Sequence, residues 1–318
     1  MRSQSFITDN FTTQTQRHRG FYFRLLSVSL CLCGEILFLT SAVYAQRIAI
    51  LTPEKSEQAQ NYAADLANSL SGKFKVLDGS MSEAAFRSVS VENPLNMSSE
   101  QSKAAASVIG CDFLLLIKTG ELRRASFAKP EYYESFMTVY VISGRTGRLV
   151  FWDLKSFEAD TPAAAEKLLF SSTESVATRI REQIQAASKK EIADNSTRTI
   201  EEVPAQDSPE AKNFRPPLPY KRIKPEYTRI AYLYDVRATV DISVDIDDTG
   251  TVERTDVVRW AGFGLDESVV EAVRKMNWRP AYRNGRPLPM RVLLRYNFTK
   301  IEKDQNMGLV RAFVSNLF

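Results

Sequence analysis

The residue types that carry most protein chemistry are scarce in this chain of 318 residues. It has one histidine, His18, and three cysteines, of which Cys31 and Cys33 lie with His18 in the first 45 residues. Histidine is the usual general base for serine and cysteine nucleophiles and a common ligand of zinc and iron. If the first 45 residues are removed, as their sequence indicates, only Cys111 remains. Histidine-dependent nucleophilic catalysis, histidine-ligated metal sites and an internal disulfide are then excluded.

Carboxylates could still do chemistry of two kinds. Residues 245–256 follow the oxygen-ligand spacing of a calcium loop, but such a loop is flanked by helices, and this segment joins two predicted strands. We therefore interpret it as a hairpin turn. A pair of carboxylates could hydrolyse a glycosidic bond, yet no pair is singled out by its sequence context. The sequence predicts no cofactor, no metal and no catalytic residue.

The first 45 residues have the organisation of a secretory signal peptide. Three arginines precede an apolar stretch at 25–39, and small residues follow, with Val43 and Ala45 at the −3 and −1 positions of a cleavage site. This pattern predicts cleavage after Ala45 and export to the periplasm. Glu35 interrupts the apolar stretch, at a cost of about 2.5–3.5 kcal/mol in the middle of a spanning helix. An uncleaved inner-membrane anchor through residues 25–45 is the alternative.

Residues 46–187 are predicted to form an α/β domain with a mixed sheet. Apolar residues from Cys111 to Ile117 form an almost continuous run, which is typical of a central strand buried on both faces. The helix at 161–187 is expected to bury Leu168, Leu169, Val176, Ile180 and Ile184. The other predicted strands are 47–51, 74–77, 133–143 and 148–158, and the other helices are 56–70, 81–89 and 98–109.

This layout resembles the amino-terminal domain of TolB, which CsgG-like and peptidoglycan-synthase-activator lipoproteins share. The residues that carry the resemblance are 106–120, with the pattern A-x-x-IGCD and an apolar strand, and 146–152, with T-G-x and an apolar strand. They cover a region of about 140 residues, at the scale of one domain. The resemblance implies the fold of the region and assigns it no ligand.

The last third of the chain is predicted to be a small sheet with one helix. Residues 188–220 are polar and rich in proline, so we expect a linker. From Val236 to Ile246 every second residue is apolar, which predicts a strand with one buried face. A second strand is expected at 252–260, a helix capped by Asp266 that ends at Met276, and a third strand at 290–298. The order strand, strand, helix, strand predicts an antiparallel three-stranded sheet with the helix on one face, and hence an α+β protein.

This region resembles the TonB carboxy-terminal domain family over residues 216–298. The resemblance is carried by ATVDISVDIDDTGTV at 238–252, LDESVVEAVRKM at 265–276, NWRPAYRNGRPL at 277–288 and MRVLLRYNF at 290–298. The family opens with a P-x-YP-x-x-A box, in which this chain keeps Tyr227 and has Thr228 in place of the second proline.

The resemblance implies binding rather than catalysis. Family members pair a strand with a short extended segment of an outer-membrane transporter, and a sheet edge offers the unpaired backbone groups that such β-augmentation requires. If the last strand is that edge, the polar residues Arg291, Arg295 and Asn297 could contact the guest, together with Tyr227 of the opening box. These four residues are the predicted partner-binding site.

Five segments result: a signal peptide at 1–45, the α/β domain at 46–187, the linker at 188–220, the TonB-like domain at 221–298 and an amphipathic tail at 299–318. The function predicted is a non-enzymatic periplasmic adaptor that captures a segment of an outer-membrane or envelope protein, with a link to transport across the outer membrane left open. The alternatives are an anchored energy transducer coupled to inner-membrane motor proteins, and a carboxylate-based envelope hydrolase. A homodimer is a further open alternative.

Nucleic acid is not an expected partner. Residues 214–318 carry 18 basic and 13 acidic side chains, 18 − 13 = +5. They contain neither a run of Lys and Arg nor a stripe that combines aromatic with basic residues, the two patterns typical of nucleic-acid binding.

Overall fold

A mixed sheet of five strands forms the amino-terminal half of the computed structural model, which describes residues 46–193, 200–205 and 207–300. The strands are β1 (Arg47–Leu51), β2 (Lys75–Val76), β3 (Phe113–Arg124), β4 (Tyr132–Ser143) and β5 (Leu149–Ala159). Their order is β2-β1-β3-β4-β5, with parallel pairing of β1 to both neighbours and antiparallel pairing from β3 to β5. The predicted mixed sheet is thereby confirmed. The predicted leader and residues 301–318 of the tail lie outside the described residues.

Five helices of this half cover the sheet or cap its ends. They are α1 (Glu57–Leu70), α2 (Gly79–Arg87), α3 (Ser99–Ile109), α4 (Pro162–Ser171) and α5 (Thr173–Ala193). Helix α1 begins where the Ser56 hydroxyl accepts the Ala59 N–H, and α3 ends at Gly110, whose φ of +78° glycine adopts easily. Helices α1 and α5 bury their apolar faces with one face of the sheet, through Tyr62, Leu66 and Ile180 among others. Across the described ranges, no helix has the length and apolar character needed to cross a membrane.

The prediction of a single helix at 161–187 is wrong, because helical structure is interrupted at Ser172, between α4 and α5. Around the break, the hydroxyls of Ser171, Ser172 and Thr173 donate to the carbonyls three residues earlier, which competes with regular helical hydrogen bonding. Leu168 is 44% exposed rather than buried, whereas Leu169 is buried as expected.

The carboxy-terminal half contains the predicted antiparallel sheet, built from β8 (Ala238–Ile246), β9 (Val252–Arg259) and β13 (Met290–Phe298) in the order β13-β8-β9. Helix α7 (Leu265–Arg274) covers its apolar face, as expected. The predicted cap is wrong: Gly264 is the N-cap, and Asp266 lies within the first turn. Helix α6 (Arg229–Leu233) and the short strands β10 (Trp278–Arg279), β11 (Ala281–Arg283) and β12 (Arg286–Leu288) complete this half.

The region predicted as a linker contains more regular structure than its prolines indicate. Strand β6 (Phe214–Arg215) pairs with β11, and β7 (Leu218–Pro219) pairs with β10. Both are two-residue strands at a sheet edge, where a proline such as Pro219 is tolerated. Helix α5 also continues to Ala193, beyond the predicted start of the linker.

The two halves are joined by a shared hydrophobic cluster. The rings of Tyr140 and Trp260 lie 5.3 Å apart between centroids, and those of Phe136 and Tyr234 lie 4.9 Å apart. The described residues belong to one compact unit. The boundaries of the predicted domains stay a prediction, since a shared core does not locate them.

Candidate functional site

Strand β13 lies at the border of its sheet, which gives it one edge without a partner strand from the sheet. Its Arg291 N–H points away from β8 and donates to the Glu201 carbonyl oxygen at 2.8 Å. Because the backbone groups of an antiparallel strand alternate in direction, the N–H and C=O groups of Leu293 and Arg295 point the same way. Within residues 46–193, 200–205 and 207–300, no backbone hydrogen bond from outside the sheet reaches those two residues. Among the described residues, the edge is therefore occupied at Arg291 and has no backbone partner at Leu293 and Arg295.

On the polar face of this sheet, two of the predicted site residues each bind an aspartate through two hydrogen bonds. Arg291 lies opposite Asp245 and binds it with Nε–Oδ1 and Nη2–Oδ2 distances of 2.6 and 2.9 Å. Arg295 lies opposite Asp241 and binds it in the same way at 2.7 and 3.0 Å. Both aspartates are only 4% exposed, whereas the Arg295 side chain is 54% exposed. The two guanidinium groups are thus fixed at the edge by buried carboxylates.

Asp241 also binds a second arginine, which comes from β9 on the other side of β8. Arg259 of β9 donates Nε–H to Asp241 at 3.0 Å, and its Nη1 donates to the Asn96 carbonyl oxygen at 2.8 Å. Hydrogen bonds to the aspartates raise the pKa of both Arg291 and Arg295 above the usual value of arginine. Arg291 and Arg295 are therefore permanently charged. Their hydrogen bonds to other described residues use Nε and Nη2, so the Nη1 N–H groups can donate to another acceptor.

The other two predicted site residues make contacts within the domain. The Asn297 side-chain oxygen accepts a hydrogen bond from the Thr239 hydroxyl, directly across the strand pair, at 2.8 Å. The Tyr227 hydroxyl donates to the Val236 carbonyl oxygen at 2.8 Å, and its ring stacks on Phe298 at 6.3 Å. The structure thus brings Arg291, Arg295 and Asn297 onto one face of β13, and it places Tyr227 at the end of that strand against the chain that leads into β8.

Three features of this edge were missed in the sequence. Leu293 occupies a position of β13 that faces solvent and is 58% exposed. Glu201 and Glu202 lie beside Arg291, with a parallel bridge between Glu202 and Arg291. Arg283 forms an ion pair with Glu201 at 2.9 Å. An apolar residue on the polar side of the alternation was a signal for Leu293, whereas the glutamates lie in the polar segment predicted as a linker.

Two titratable groups away from this edge, Asp266 and Cys111, are buried. Burial raises the pKa of Asp266 to about 7, and its two carboxylate oxygens accept the N–H groups of Ala261 and Gly262, each at 2.9 Å. Burial also raises the pKa of the Cys111 thiol to about 11, as expected for a core thiol. In the 245–256 segment, Asp247 accepts hydrogen bonds from the backbone N–H groups of Thr249 and Thr251, which forms the turn between β8 and β9.

Comparison with known families places this edge in context. Residues 223–299 match the family model described as Gram-negative bacterial TonB protein C-terminal. The predicted resemblance is thereby confirmed for the carboxy-terminal module. The match to the TonB C-terminal model includes Tyr227 and strands β8 to β13, and it begins after Glu201 and Glu202. No curated protein matches the chain.

Solved structures are similar to each half. The lipoprotein GNA1162 from Neisseria meningitidis is 14% identical, with 43% of this chain and 99% of that chain covered and a TM-score of 0.31. The LpoB C-terminal domain from Salmonella enterica is 13% identical, with 40% and 92% covered and a TM-score of 0.24. The TonB CTD from Pseudomonas aeruginosa is 19% identical, with 31% and 94% covered and a TM-score of 0.24. The resemblance of the amino-terminal region to TolB stays a prediction.

Proposed function

We propose that the protein is a periplasmic adaptor that captures an extended segment of an outer-membrane or other envelope protein by adding it to β13. The observation that carries this proposal is the outward direction of the backbone groups of Leu293 and Arg295 on a border strand. A guest strand would satisfy those groups with main-chain hydrogen bonds, which give affinity without requiring a particular sequence.

Side chains along the edge supply the specificity that main-chain pairing lacks. Leu293 offers an exposed apolar contact between two arginines. Because Asp241 and Asp245 hold the guanidinium groups of Arg295 and Arg291, the arginines lose little conformational freedom when a guest binds. Their Nη1 groups can then donate to a carbonyl or carboxylate oxygen of the guest.

Measurements other than partner capture distinguish the adaptor from the anchored transducer, the homodimer and the hydrolase. A mature chain that begins at Gln46 supports the adaptor, whereas a chain that keeps residues 1–45 in the inner membrane supports the transducer. Pairing of β13 with β13 of a second copy would appear as a dimer in sedimentation. Turnover of peptidoglycan fragments that is lost on substitution of a single Asp or Glu would support the hydrolase.

The test is a photo-crosslink formed in cells at the exposed position of β13. A photoreactive amino acid replaces Leu293, and the same amino acid at the exposed Val108 of α3 is the control site. We expect a crosslink to an extended segment of an envelope protein from position 293, and none to that segment from position 108.

Two variants at one neighbouring position separate backbone pairing from side-chain contact. Arg295→Pro removes the outward N–H and should abolish the crosslink, since proline at an edge position leaves the pairing with β8 in place. Arg295→Ala keeps the backbone N–H, so most of the crosslink should still form. Circular dichroism establishes that both variants are folded. A crosslink that survives Arg295→Pro unchanged contradicts strand addition.

A further inference from the structure

The start of the β13 edge is occupied by a strand-like segment of the same chain. We call residues 200–204, with the sequence Ile-Glu-Glu-Val-Pro, the acidic segment. Its Glu201 carbonyl oxygen accepts the Arg291 N–H at 2.8 Å, and Glu202 forms a parallel bridge with Arg291. The acidic segment therefore uses the same outward N–H that a guest strand would use.

Charge as well as backbone pairing favours this position. The Glu201 carboxylate lies 2.9 Å from Nη1 of Arg283, and Glu202 helps to raise the pKa of Arg291. Arg283 pairs with Glu201, Arg291 lies opposite Glu202, and the Arg295 side chain is 54% exposed further along β13. Positive charge along this edge is complementary to an acidic strand.

The acidic segment is held weakly enough to be displaced. Glu201 and Glu202 are exposed, and within the described part of the chain the pairing with β13 consists of one bridge at Arg291. The ion pair with Arg283 is partly exposed, and such pairs contribute little to stability. Because the acidic segment is tethered to the domain, its pairing is intramolecular and needs no high affinity to persist.

We infer that the acidic segment is an internal competitor at the β13 edge, and that the guest which displaces it is an extended, acidic segment running parallel to β13. This inference rests on the proposed function and names the chemistry and direction of its partner. Capture is then an exchange of one acidic strand for another, and the adaptor is self-inhibited until a guest with additional contacts at Leu293 and Arg295 arrives.

The experiment measures binding of a labelled peptide by fluorescence anisotropy. The probe is a peptide with the sequence Ile-Glu-Glu-Val-Pro, and the control peptide carries Gln in place of both Glu residues. The full chain is compared with a variant in which residues 200–204 are replaced by Gly-Ser-Gly-Ser-Gly. As a matched control, the exposed loop at 125–129 is replaced in the same way.

The replacement at 200–204 should tighten binding of the acidic peptide by at least about tenfold. The replacement at 125–129 should leave binding as in the unaltered chain, and the neutral peptide should show no gain. Hydrogen exchange should show that the Arg291 amide loses protection only in the 200–204 variant. Higher salt should weaken the acidic peptide's binding.

Equal affinities for the two chains, binding to neither, or an equal gain with the neutral peptide would each overturn the inference. If replacing residues 200–204 leaves the peptide affinity unchanged while the crosslink at position 293 still forms, the acidic segment is not an internal competitor and the proposed function stands. Absence of that crosslink in the chain with residues 200–204 replaced rejects strand capture itself.

Discussion

The indole of Trp152 lies against the ring of Phe263, with 4.7 Å between their centroids, and joins β5 of one sheet to the loop before α7 of the other half. Gly262, which precedes Phe263, has a φ of +72°. A Cβ atom at that residue would lie 2.7 Å from Cδ1 of Trp152, which is closer than real contacts allow. The contact between the two halves therefore depends on the absence of a side chain at residue 262.

Gly262→Ala should destabilise the protein more than Gly285→Ala, by about 1–3 kcal/mol in the free energy of unfolding. Gly285 is a matched control because its φ is +78° and a Cβ there would have no atom within 4 Å. Both variants share the cost of alanine at positive φ, so the difference isolates the overlap with Trp152. Urea unfolding measures it, and equal losses would contradict the tight packing of Trp152 on this loop.

Asp241→Asn should lower the free energy of unfolding by about 2–3 kcal/mol, since one buried carboxylate accepts charged hydrogen bonds from Arg259 and Arg295. The control is Asp248→Asn in the exposed turn after β8, where we expect a change within about 0.5 kcal/mol. Thermal or urea unfolding of the two variants measures the contrast. If both variants lost less than about 0.5 kcal/mol of unfolding free energy, Arg259 and Arg295 would not depend on the buried carboxylate of Asp241.

The sheet topology of the carboxy-terminal half was predictable because period-two alternation in β8 and β13 is strong and local. The pairing of Asp241 with Arg295 was not, because the two strands are separated by a hairpin, a helix and three short strands, and only the register brings these residues opposite each other. Arg291 and Arg295 were correctly placed on the exposed face, but their buried partners on β8 could not be identified from alternation alone.

The role of the acidic segment was hidden for a related reason. A polar stretch with Pro204 after it is typical of a linker, and nothing local indicates that Glu201 lies beside Arg291, about ninety residues later. The break at Ser172 had a local signal, the run of Ser171, Ser172 and Thr173, whose hydroxyls can compete for helical carbonyls. The apolar periodicity on both sides of that run favoured a single helix.

Asp266 should make stability fall as pH rises between about 4 and 7. Burial raises its folded-state pKa to about 7, with a further contribution from the Glu267 carboxylate, whereas the unfolded value is near 4. In that window the folded protein binds more protons than the unfolded chain, so deprotonation favours unfolding, by up to about 4 kcal/mol in total. Asp266→Asn cannot titrate and should lack this slope, which urea unfolding across that pH range measures.

Asp247 is the matched control of opposite sign. Hydrogen bonds from the Thr249 hydroxyl and from backbone N–H groups lower its pKa, so its contribution to stability is present above pH 4 and is lost as the pH falls below its unfolded value. Between pH 4 and 7 the difference between the unaltered chain and Asp247→Asn should therefore stay constant, and it should shrink only as the pH falls below about 4. The difference for Asp266→Asn should shrink as the pH rises from 4 to 7, and a constant difference for Asp266→Asn in that window would refute the assignment for Asp266.

Asn96 should contribute more to stability than any exposed asparagine, because its side chain joins the two halves of the protein. Its Nδ2 donates to the carbonyl oxygens of Thr239 at 2.8 Å and of Trp260 at 2.6 Å, and its Oδ1 accepts the Thr239 N–H at 2.9 Å. Asn96→Ala leaves these groups without partners and should cost about 2–4 kcal/mol.

The control lies three residues earlier, where the exposed Asn93 side chain accepts the Leu95 N–H at 3.2 Å, so Asn93→Ala should cost about 1 kcal/mol or less. Urea unfolding monitored by tryptophan fluorescence reports on both halves at once, since Trp152 belongs to β5 and Trp260 to the loop after β9. If Asn96 holds the halves together, Asn96→Ala should lower the unfolding midpoint well below that of Asn93→Ala. Equal midpoints would mean that the packing of Trp152 and Trp260 joins the halves without this side chain.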